Sequence, residues 1–338
     1  YISSNYTHIA RDMFDAGANV LVQLVAARET ADGLSVSLSC NPDTALELGQ
    51  MFDDSDRSYI SIGQIHPDLP YMKNDAEIGV GVMDLLVSNP DYDKTLFAVP
   101  NSAVPLKDYA TALHASTLVA DGGTLQIGIG ALGDAVAYSC ILRQEHNSAY
   151  CQAVESLTHQ HAAVAGHRES FDKGLYVSTE MFVNGMMQLI EHGVVKRKVY
   201  DNLALQTGLN NGAISSAIDE RLFEYCRAQG VIPIHLGERD LETLTYWGIL
   251  NSVTLASADT LSVAGESVPN NMDDPQTRSA VLGAAKGAVL RNGRILHGGF
   301  FLGPADFYQK LRELDALGPV SYTHLRAHET ERTIASAV

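Results

Sequence analysis

Residues 173–193 read KGLYVSTEMFVNGMMQLIEHG and place a glutamate at the junction of a predicted strand and a predicted helix. Residues 175–179 have the aromatic and β-branched composition of a short buried strand. Residues 181–190 carry apolar side chains near helical spacing, and His192-Gly193 is a helix stop. Ligands of open α/β sheets bind beyond the carboxyl ends of the strands, so we expect Glu180 to point into a binding crevice. The alternative is a first-turn acid favoured by the helix dipole.

A second strand-turn-helix is predicted over residues 121–136, DGGTLQIGIGALGDAV. Residues 124–129 resemble a strand, and Asp134 opens a helix. The backbone between them is left without side chains at three glycines, Gly128, Gly130 and Gly133. Backbone N–H groups exposed in this way can hold an anion or a developing oxyanion.

The same glycines match the dinucleotide-binding pattern G-x-G-x-x-G, so a nicotinamide-dependent oxidoreductase has to be weighed. That pattern predicts a second strand ending in an acid about 20 residues after the turn. Residues 150–167 are instead polar and rich in histidine and alanine, and do not resemble a strand. This disfavours the dinucleotide interpretation without removing it.

The combination of TLQIGIGALGDAV with a later S-T-E-M-F-V-N-G resembles the acetyl-CoA hydrolase/CoA-transferase family. Three further segments look like parts of its larger bacterial members, some of them similar to 4-hydroxybutyrate CoA-transferases: residues 1–25, 64–77 and 296–308. The resemblance covers about residues 1–318. It implies an α/β fold of two related open lobes with mostly parallel sheets, incomplete at both ends. We assign residues 1–105 to the amino-terminal lobe and residues 106–319 to the lobe that carries the glutamate.

Residues 320–338, VSYTHLRAHETERTIASAV, abandon the apolar periodicity and the resemblance. They look like the translated sequencing-adapter tails found on some gene models, and we expect them to be an unrelated artefact. Family members continue with a G-x-G-G-Q loop, which this sequence lacks. The first residue is Tyr1 rather than methionine, so we expect an amino-terminal part to be missing as well.

The resemblance implies that Glu180 attacks an acyl-CoA carbonyl and forms an acyl-glutamyl anhydride, with release of CoA. It places acyl or CoA contacts in one loop, at Gln126, Gly128, Ile129, Gly130 and Gly133. No metal or redox cofactor is implied, because coenzyme A is a substrate. The choice between acyl-CoA hydrolase and CoA-transferase stays open, as do the acyl group, the acceptor acid and the activity of this chain alone. A non-catalytic acyl-CoA-binding protein is a further alternative.

The net charge of the chain limits the classes of molecule that it is expected to bind. The 338 residues carry a formal net charge of −17, which argues against nucleic acid or an anionic membrane. CoA phosphates would then need a local basic patch, and residues 194–199, VVKRKV, are the densest one. Its alternative is a helix exit with favourable dipole charges. The resemblance also implies that the full-length protein is a homo-oligomer that binds acyl-CoA and a small carboxylic acid.

The four cysteines show no C-x-x-C spacing, so neither a zinc site nor a disulfide framework is expected. A histidine pair, His159 and His161, has a ligand spacing but no convincing partners. No apolar run reaches the roughly 18 residues that span a bilayer, and no signal peptide begins the chain. These features predict a cytoplasmic protein.

Apolar periodicity and turn residues predict the remaining elements and a mostly parallel sheet with covering helices. The predicted strands are residues 20–26, 34–39, 59–64, 95–99, 231–236 and 252–255. The predicted helices are residues 9–16, 44–51, 76–87, 108–120, 219–228 and 241–248. Trp247 is predicted to lie in the core.

Overall fold

A computed structural model describes residues 1–31, 33–40, 42–72, 76–98, 103–158, 166–313 and 321–322. The chain forms two compact units. Among the described residues, the first unit comprises those up to Arg197 and those from Ile295 onward, and the second unit comprises Lys198–Arg294.

The strands, in chain order, are β1 Val20–Thr30, β2 Gly33–Ser37, β3 Ile60–Ile65, β4 Glu77–Ile78, β5 Leu85–Val87, β6 Thr124–Leu125, β7 Tyr176–Phe182, β8 Val253–Ser257, β9 Thr260–Val263, β10 Glu266–Pro269, β11 Leu296–Phe301 and β12 Ser321–Tyr322. The helices are α1 Ile9–Asp15, α2 Pro42–Asp53, α3 Leu106–Ser116, α4 Ala131–Glu145, α5 Asn147–Thr158, α6 Asn184–Glu191, α7 Leu203–Asn210, α8 Glu220–Ala228, α9 Glu238–Tyr246, α10 Pro275–Ala284 and α11 Ala305–Glu313. The combination of helices with parallel sheets confirms the predicted α/β class.

The amino-terminal sheet of the first unit has the order β4-β2-β1-β3-β5. β1, β3 and β5 are parallel, whereas β2 and β4 add an antiparallel edge. The predicted helix over residues 76–87 is wrong, because this stretch supplies β4 and β5. Gly79 and Gly81 weaken a helix there, and pairing with β2 and β3 satisfies the backbone instead.

The central sheet of the first unit has the order β12-β11-β7-β6, and all its strands are parallel. Apolar side chains from β7, β11 and α6 form one continuous core with α11. The strand predicted over residues 124–129 is reduced to the two residues of β6. Residues 95–98 form no regular strand, and Val99 lies outside the described residues. The lobe boundary predicted near residue 105 falls between the two sheets.

The second unit is an antiparallel sheet, β10-β9-β8, with helices α7 to α10 around its own core. The sequence-based assignment placed this unit within the lobe of residues 106–319 and did not predict it as a separate unit. Side chains of Asn202, Asp219 and Asp274 cap the first turns of α7, α8 and α10. Trp247 is buried in this core, as predicted. The strand predicted over residues 231–236 is wrong, since Pro233 cannot donate to a sheet ladder.

The two ends of the second unit are paired with each other. Val199 N–H donates to the carbonyl of Arg294, and Arg294 N–H donates to the carbonyl of Val199, both at 2.8 Å. The chain therefore enters and leaves this unit at one antiparallel bridge.

A fully buried arginine, Arg143 of α4, ties together several segments of the first unit. Its guanidinium donates to the carbonyls of Glu169 and Val119 at 2.7 Å and of Ser116 at 3.1 Å. The guanidinium carbon also lies 4.2 Å from the centre of the Phe171 ring. Hydrogen bonds to three carbonyls compensate for the desolvation of this cation.

All four cysteines are free thiols. Burial raises the pKa of Cys40 to about 11 and of Cys140 and Cys226 to about 12. Within the described ranges, no helix combines the length and the apolar character needed to cross a bilayer.

Candidate active site

Glu180 belongs to a strand rather than to the helix that follows. β7 continues through Phe182, because Met181 and Phe182 pair with Phe300 and Phe301 of β11. The prediction of a helix starting at Met181, and with it the first-turn acid alternative, is therefore wrong. The helix begins at Asn184 and ends at the predicted stop, where Gly193 has a φ of 67°. Residues 176–179 of β7 are buried and Glu180 is exposed. The carboxylate thus leaves the sheet near the carboxyl end of β7, as the sequence analysis expected.

Glu180 opens into a cavity of about 1500 Å³ within the first unit. Its sheet wall is formed by residues at the carboxyl ends of β6, β7 and β11: Gln126, Ser178, Thr179, Glu180, Gly299 and Phe300. The register of β11 with β7 sets Gly299 opposite Glu180. The facing wall comes from the turn at Tyr6–His8, from Arg11 and from α2.

The cavity brings two of the predicted site residues together, Glu180 and Gln126. The described residues that line it do not include Gly128, Ile129, Gly130 or Gly133. Those four continue from Gln126 into the start of α4, which begins at Ala131, three residues before the predicted Asp134.

The backbone conformation of the turn before α4 requires glycine at specific positions. Gly130 precedes α4 with φ 110° and ψ 172°, a region open essentially to glycine alone. A Cβ on Gly133 would lie 2.2 Å from the carbonyl oxygen of Gly128, so only a glycine allows this close approach. Gly128 has open space where a Cβ would be added. Two of the three glycines are thus required by the turn.

Replacing Gly130 with valine should lower the thermal midpoint of the chain. A β-branched residue in this backbone region costs about 1–3 kcal/mol, or roughly 2–12 °C for a unit of this size. Calorimetry checks this, with Gly128→Ala as the matched control that should leave the midpoint unchanged. Equal midpoints for Gly130→Val and the parent would show that the turn relaxes freely.

The cavity is rich in carboxylates. Besides Glu180, the described lining residues include four acids of the facing wall: Asp43, Glu47, Asp53 and Asp54. Arg11 also lines the cavity, but its guanidinium lies 2.9 Å from a carboxylate oxygen of Asp12. The described lining residues thus include five acids against one arginine and one histidine. The site therefore offers little cationic stabilisation for negative charge.

Two side chains beside Glu180 present unused hydrogen-bonding groups. Neither the Ser178 hydroxyl nor the Gln126 carboxamide has a hydrogen-bond partner among the residues that the structure describes. The Thr179 hydroxyl, by contrast, donates to the carbonyl of Met181 at 2.8 Å. Sequence analysis missed Ser178 because it ended the strand at Thr179. The period-2 alternation of a longer strand would have placed Ser178 on the same face as Glu180.

Other residues missed by the sequence analysis form the facing wall. The Tyr6 hydroxyl donates to Asp43 at 2.7 Å, and its ring centre lies 5.6 Å from that of Phe300. Two of the segments that resemble the family, residues 1–25 and 296–308, contain Tyr6, Gly299 and Phe300. The resemblance of these segments to the family could have indicated that these residues belong to the site, but it implied no role for any of them.

The predicted basic patch is partly engaged within the first unit. Lys196 donates to the carbonyl of Phe171 at 3.0 Å, and Arg197 donates to the Thr124 hydroxyl at 2.8 Å. Burial lowers the pKa of Arg197. Both contacts support the alternative interpretation, in which these residues hold the chain where it leaves helix α6 and do not bind CoA phosphates.

Neither remaining alternative gains support from the geometry. Residues 147–158 form helix α5 where the dinucleotide pattern predicts a strand, so the nicotinamide interpretation is disfavoured further. Among the described side chains, no group of three or more His, Cys, Asp or Glu residues could hold a metal ion. His159 and His161 lie outside the described residues.

Comparisons with known proteins agree with the resemblance. No protein-family model matches the chain. A succinyl-CoA:acetate/propanoyl-CoA:succinate CoA transferase from Fasciola hepatica is 29% identical over 136 residues, which are 40% of this chain and 22% of the relative. This match confirms that the chain is similar to CoA-transferases.

Two solved structures are also similar. RipA from Yersinia pestis is 16% identical with a TM-score of 0.46, over 96% of this chain and 45% of that one. A 4-hydroxybutyrate CoA-transferase from Porphyromonas gingivalis is 20% identical with a TM-score of 0.39, over 58% of this chain and 41% of that one. The chain spans less than half the length of each of these proteins.

Proposed function

We propose that the chain acts on acyl-CoA thioesters, as a CoA-transferase or an acyl-CoA hydrolase, with Glu180 as the nucleophile. One observation carries the proposal: a glutamate carboxylate stands exposed at the carboxyl end of a central parallel strand and faces a cavity of about 1500 Å³. The similarity to a CoA-transferase supports the chemistry. A carboxylate is a sufficient nucleophile for a thioester and needs no adjacent base.

In the first step, a carboxylate oxygen of Glu180 attacks the thioester carbonyl carbon. The carbon–sulfur bond breaks, CoA leaves as the thiolate, and an acyl-glutamyl anhydride remains. The thiolate then attacks the glutamyl carbonyl and releases the acyl group as a free carboxylate. The resulting glutamyl-CoA thioester transfers CoA to a second carboxylic acid by the reverse steps. In a hydrolase, water opens the anhydride or the thioester instead.

The tetrahedral intermediate of each step carries a negative oxygen that needs hydrogen-bond donors. Gln126 is the predicted loop residue that reaches the cavity, and we assign its carboxamide to this contact. We assign further acyl or CoA contacts to the loop residues that continue from it, Gly128, Ile129, Gly130 and Gly133.

Borohydride trapping tests the nucleophile. The chain is incubated with acetyl-CoA, treated with borohydride and digested, and the peptide containing Glu180 is measured by mass spectrometry. Reduction of a glutamyl thioester converts the side chain to an alcohol, which we expect at Glu180. CoA binding without any covalent change would favour a non-catalytic acyl-CoA-binding protein.

A release assay separates the two activities. Free CoA is followed with acetyl-CoA alone, and product acyl-CoA is followed after addition of succinate or propanoate. Product thioester that depends on the added acid identifies a transferase. CoA release at the same rate with and without the acid identifies a hydrolase.

A further inference from the structure

We infer that Ser178 is a second catalytic residue, whose hydroxyl donates to the thioester carbonyl oxygen as negative charge develops on it. The inference rests on the proposed function, because it takes Glu180 as the attacking group. It adds a residue that neither the loop motif nor the glutamate motif assigns.

Strand geometry puts Ser178 within reach of the reacting carbonyl. Ser178 and Glu180 are two residues apart in β7, so their side chains share one face of the sheet at a spacing of about 6.6 Å. Both line the same cavity. A carbonyl carbon next to the Glu180 carboxylate can direct its oxygen back along the strand toward the serine hydroxyl.

The state of the hydroxyl points to a ligand. Ser178 is only 5% exposed, yet its hydroxyl has no partner within the described part of the chain and lines the cavity. The hydroxyl oxygen is not fully buried, so a ligand in the cavity can accept a hydrogen bond from it without displacing a protein partner.

The neighbouring strand supplies a companion donor. β6 pairs with β7 in the register Leu125 to Val177, so Gln126, the next residue, comes level with Ser178. The serine hydroxyl and the glutamine carboxamide thus flank the same position from adjacent strands. A pair of donors is the usual arrangement at a developing oxyanion.

Because the cavity is lined mainly by negatively charged side chains, neutral hydrogen-bond donors are the groups available to stabilise an oxyanion there. The four acids of the facing wall would repel an oxyanion, and Arg11 is engaged by Asp12. Among the described lining residues beside Glu180, Ser178 and Gln126 therefore provide the stabilisation that no nearby cation provides. Hydrogen bonds of this kind gain strength where water is excluded.

Substitution of Ser178 by alanine tests the inference. We expect kcat for CoA release to fall by about 100-fold, the usual effect of removing one oxyanion donor, with KM for the acyl-CoA changed less than about threefold. The thermal midpoint should stay the same, because the hydroxyl makes no contact that folding would lose. Ser178→Thr keeps the hydroxyl and should recover most of the lost rate.

Ser139→Ala is the matched control, since Ser139 is also fully buried but donates within α4 at 2.8 Å. It should leave kcat unchanged. A Ser178→Ala variant with the parent rate would overturn the inference, and so would a loss of rate accompanied by a lower midpoint that threonine does not restore. These outcomes are distinct from failure of the proposed function, in which the parent chain itself releases no CoA and traps no adduct at Glu180.

Discussion

We expect Glu180→Gln to lower kcat for the proposed acyl-CoA turnover by at least about a thousandfold. Glutamine has the same shape, but its carboxamide is not nucleophilic enough to form the anhydride. Because Glu180 is exposed and makes no packing contribution to the core of β7, the fold and the affinity for CoA should be retained. The measurement is CoA release under saturating substrate, with CoA binding followed separately.

Two further variants sharpen this result. Glu180→Asp withdraws the carboxylate by one methylene, and a displacement of about 1 Å can cost 100-fold in rate. Glu155→Gln makes the same chemical change at an exposed position of α5 and should leave the rate intact. A Glu180→Gln variant that keeps more than a tenth of the parent rate would rule out Glu180 as the nucleophile.

Arg143→Met should produce the largest loss of stability. Methionine keeps the apolar stem but removes the donors to three carbonyls, those of Ser116, Val119 and Glu169, of which Ser116 lies in the core. Unmade hydrogen bonds of this kind cost about 1–3 kcal/mol each, so we expect a loss of at least about 3 kcal/mol. The corresponding fall in thermal midpoint is about 6–12 °C.

Denaturant titration and calorimetry check the Arg143 prediction. Lys107→Ala removes a cation from an exposed position of α3 in the same unit and serves as the control. It should shift the midpoint by less than about 2 °C. An Arg143→Met midpoint within that range would mean that water or backbone movement replaces the lost donors.

Local signals predicted well that Glu180 lies near the carboxyl end of a buried strand. The composition before Glu180 identified a strand, and the stop at His192-Gly193 identified the end of α6. What the local pattern could not give was the extent of β7, since Met181 and Phe182 suit a helix as well as a strand. Their pairing with Phe300 and Phe301, more than a hundred residues later, decides the matter. Ser178 was overlooked for the same reason.

The remaining errors also come from long-range contacts. Residues 76–87 have a helical apolar pattern. Their backbone instead pairs with two other strands, since β4 pairs with β2 and β5 pairs with β3. The second unit begins and ends inside the predicted glutamate lobe, where the sequence pattern was not interpreted as a boundary. Its limits are visible only in the contact between Val199 and Arg294.

That contact has a consequence for native-state hydrogen exchange. Because the bridge between Val199 and Arg294 is made by the second unit's own residues, and its core is self-contained, Lys198–Arg294 can open and reclose as one cooperative block. Its most protected amides should then share a single opening free energy, distinct from that of the central sheet. Mild denaturant should expose the amides of one block before those of the other, although the residues of the first unit lie on both sides of the second in the sequence.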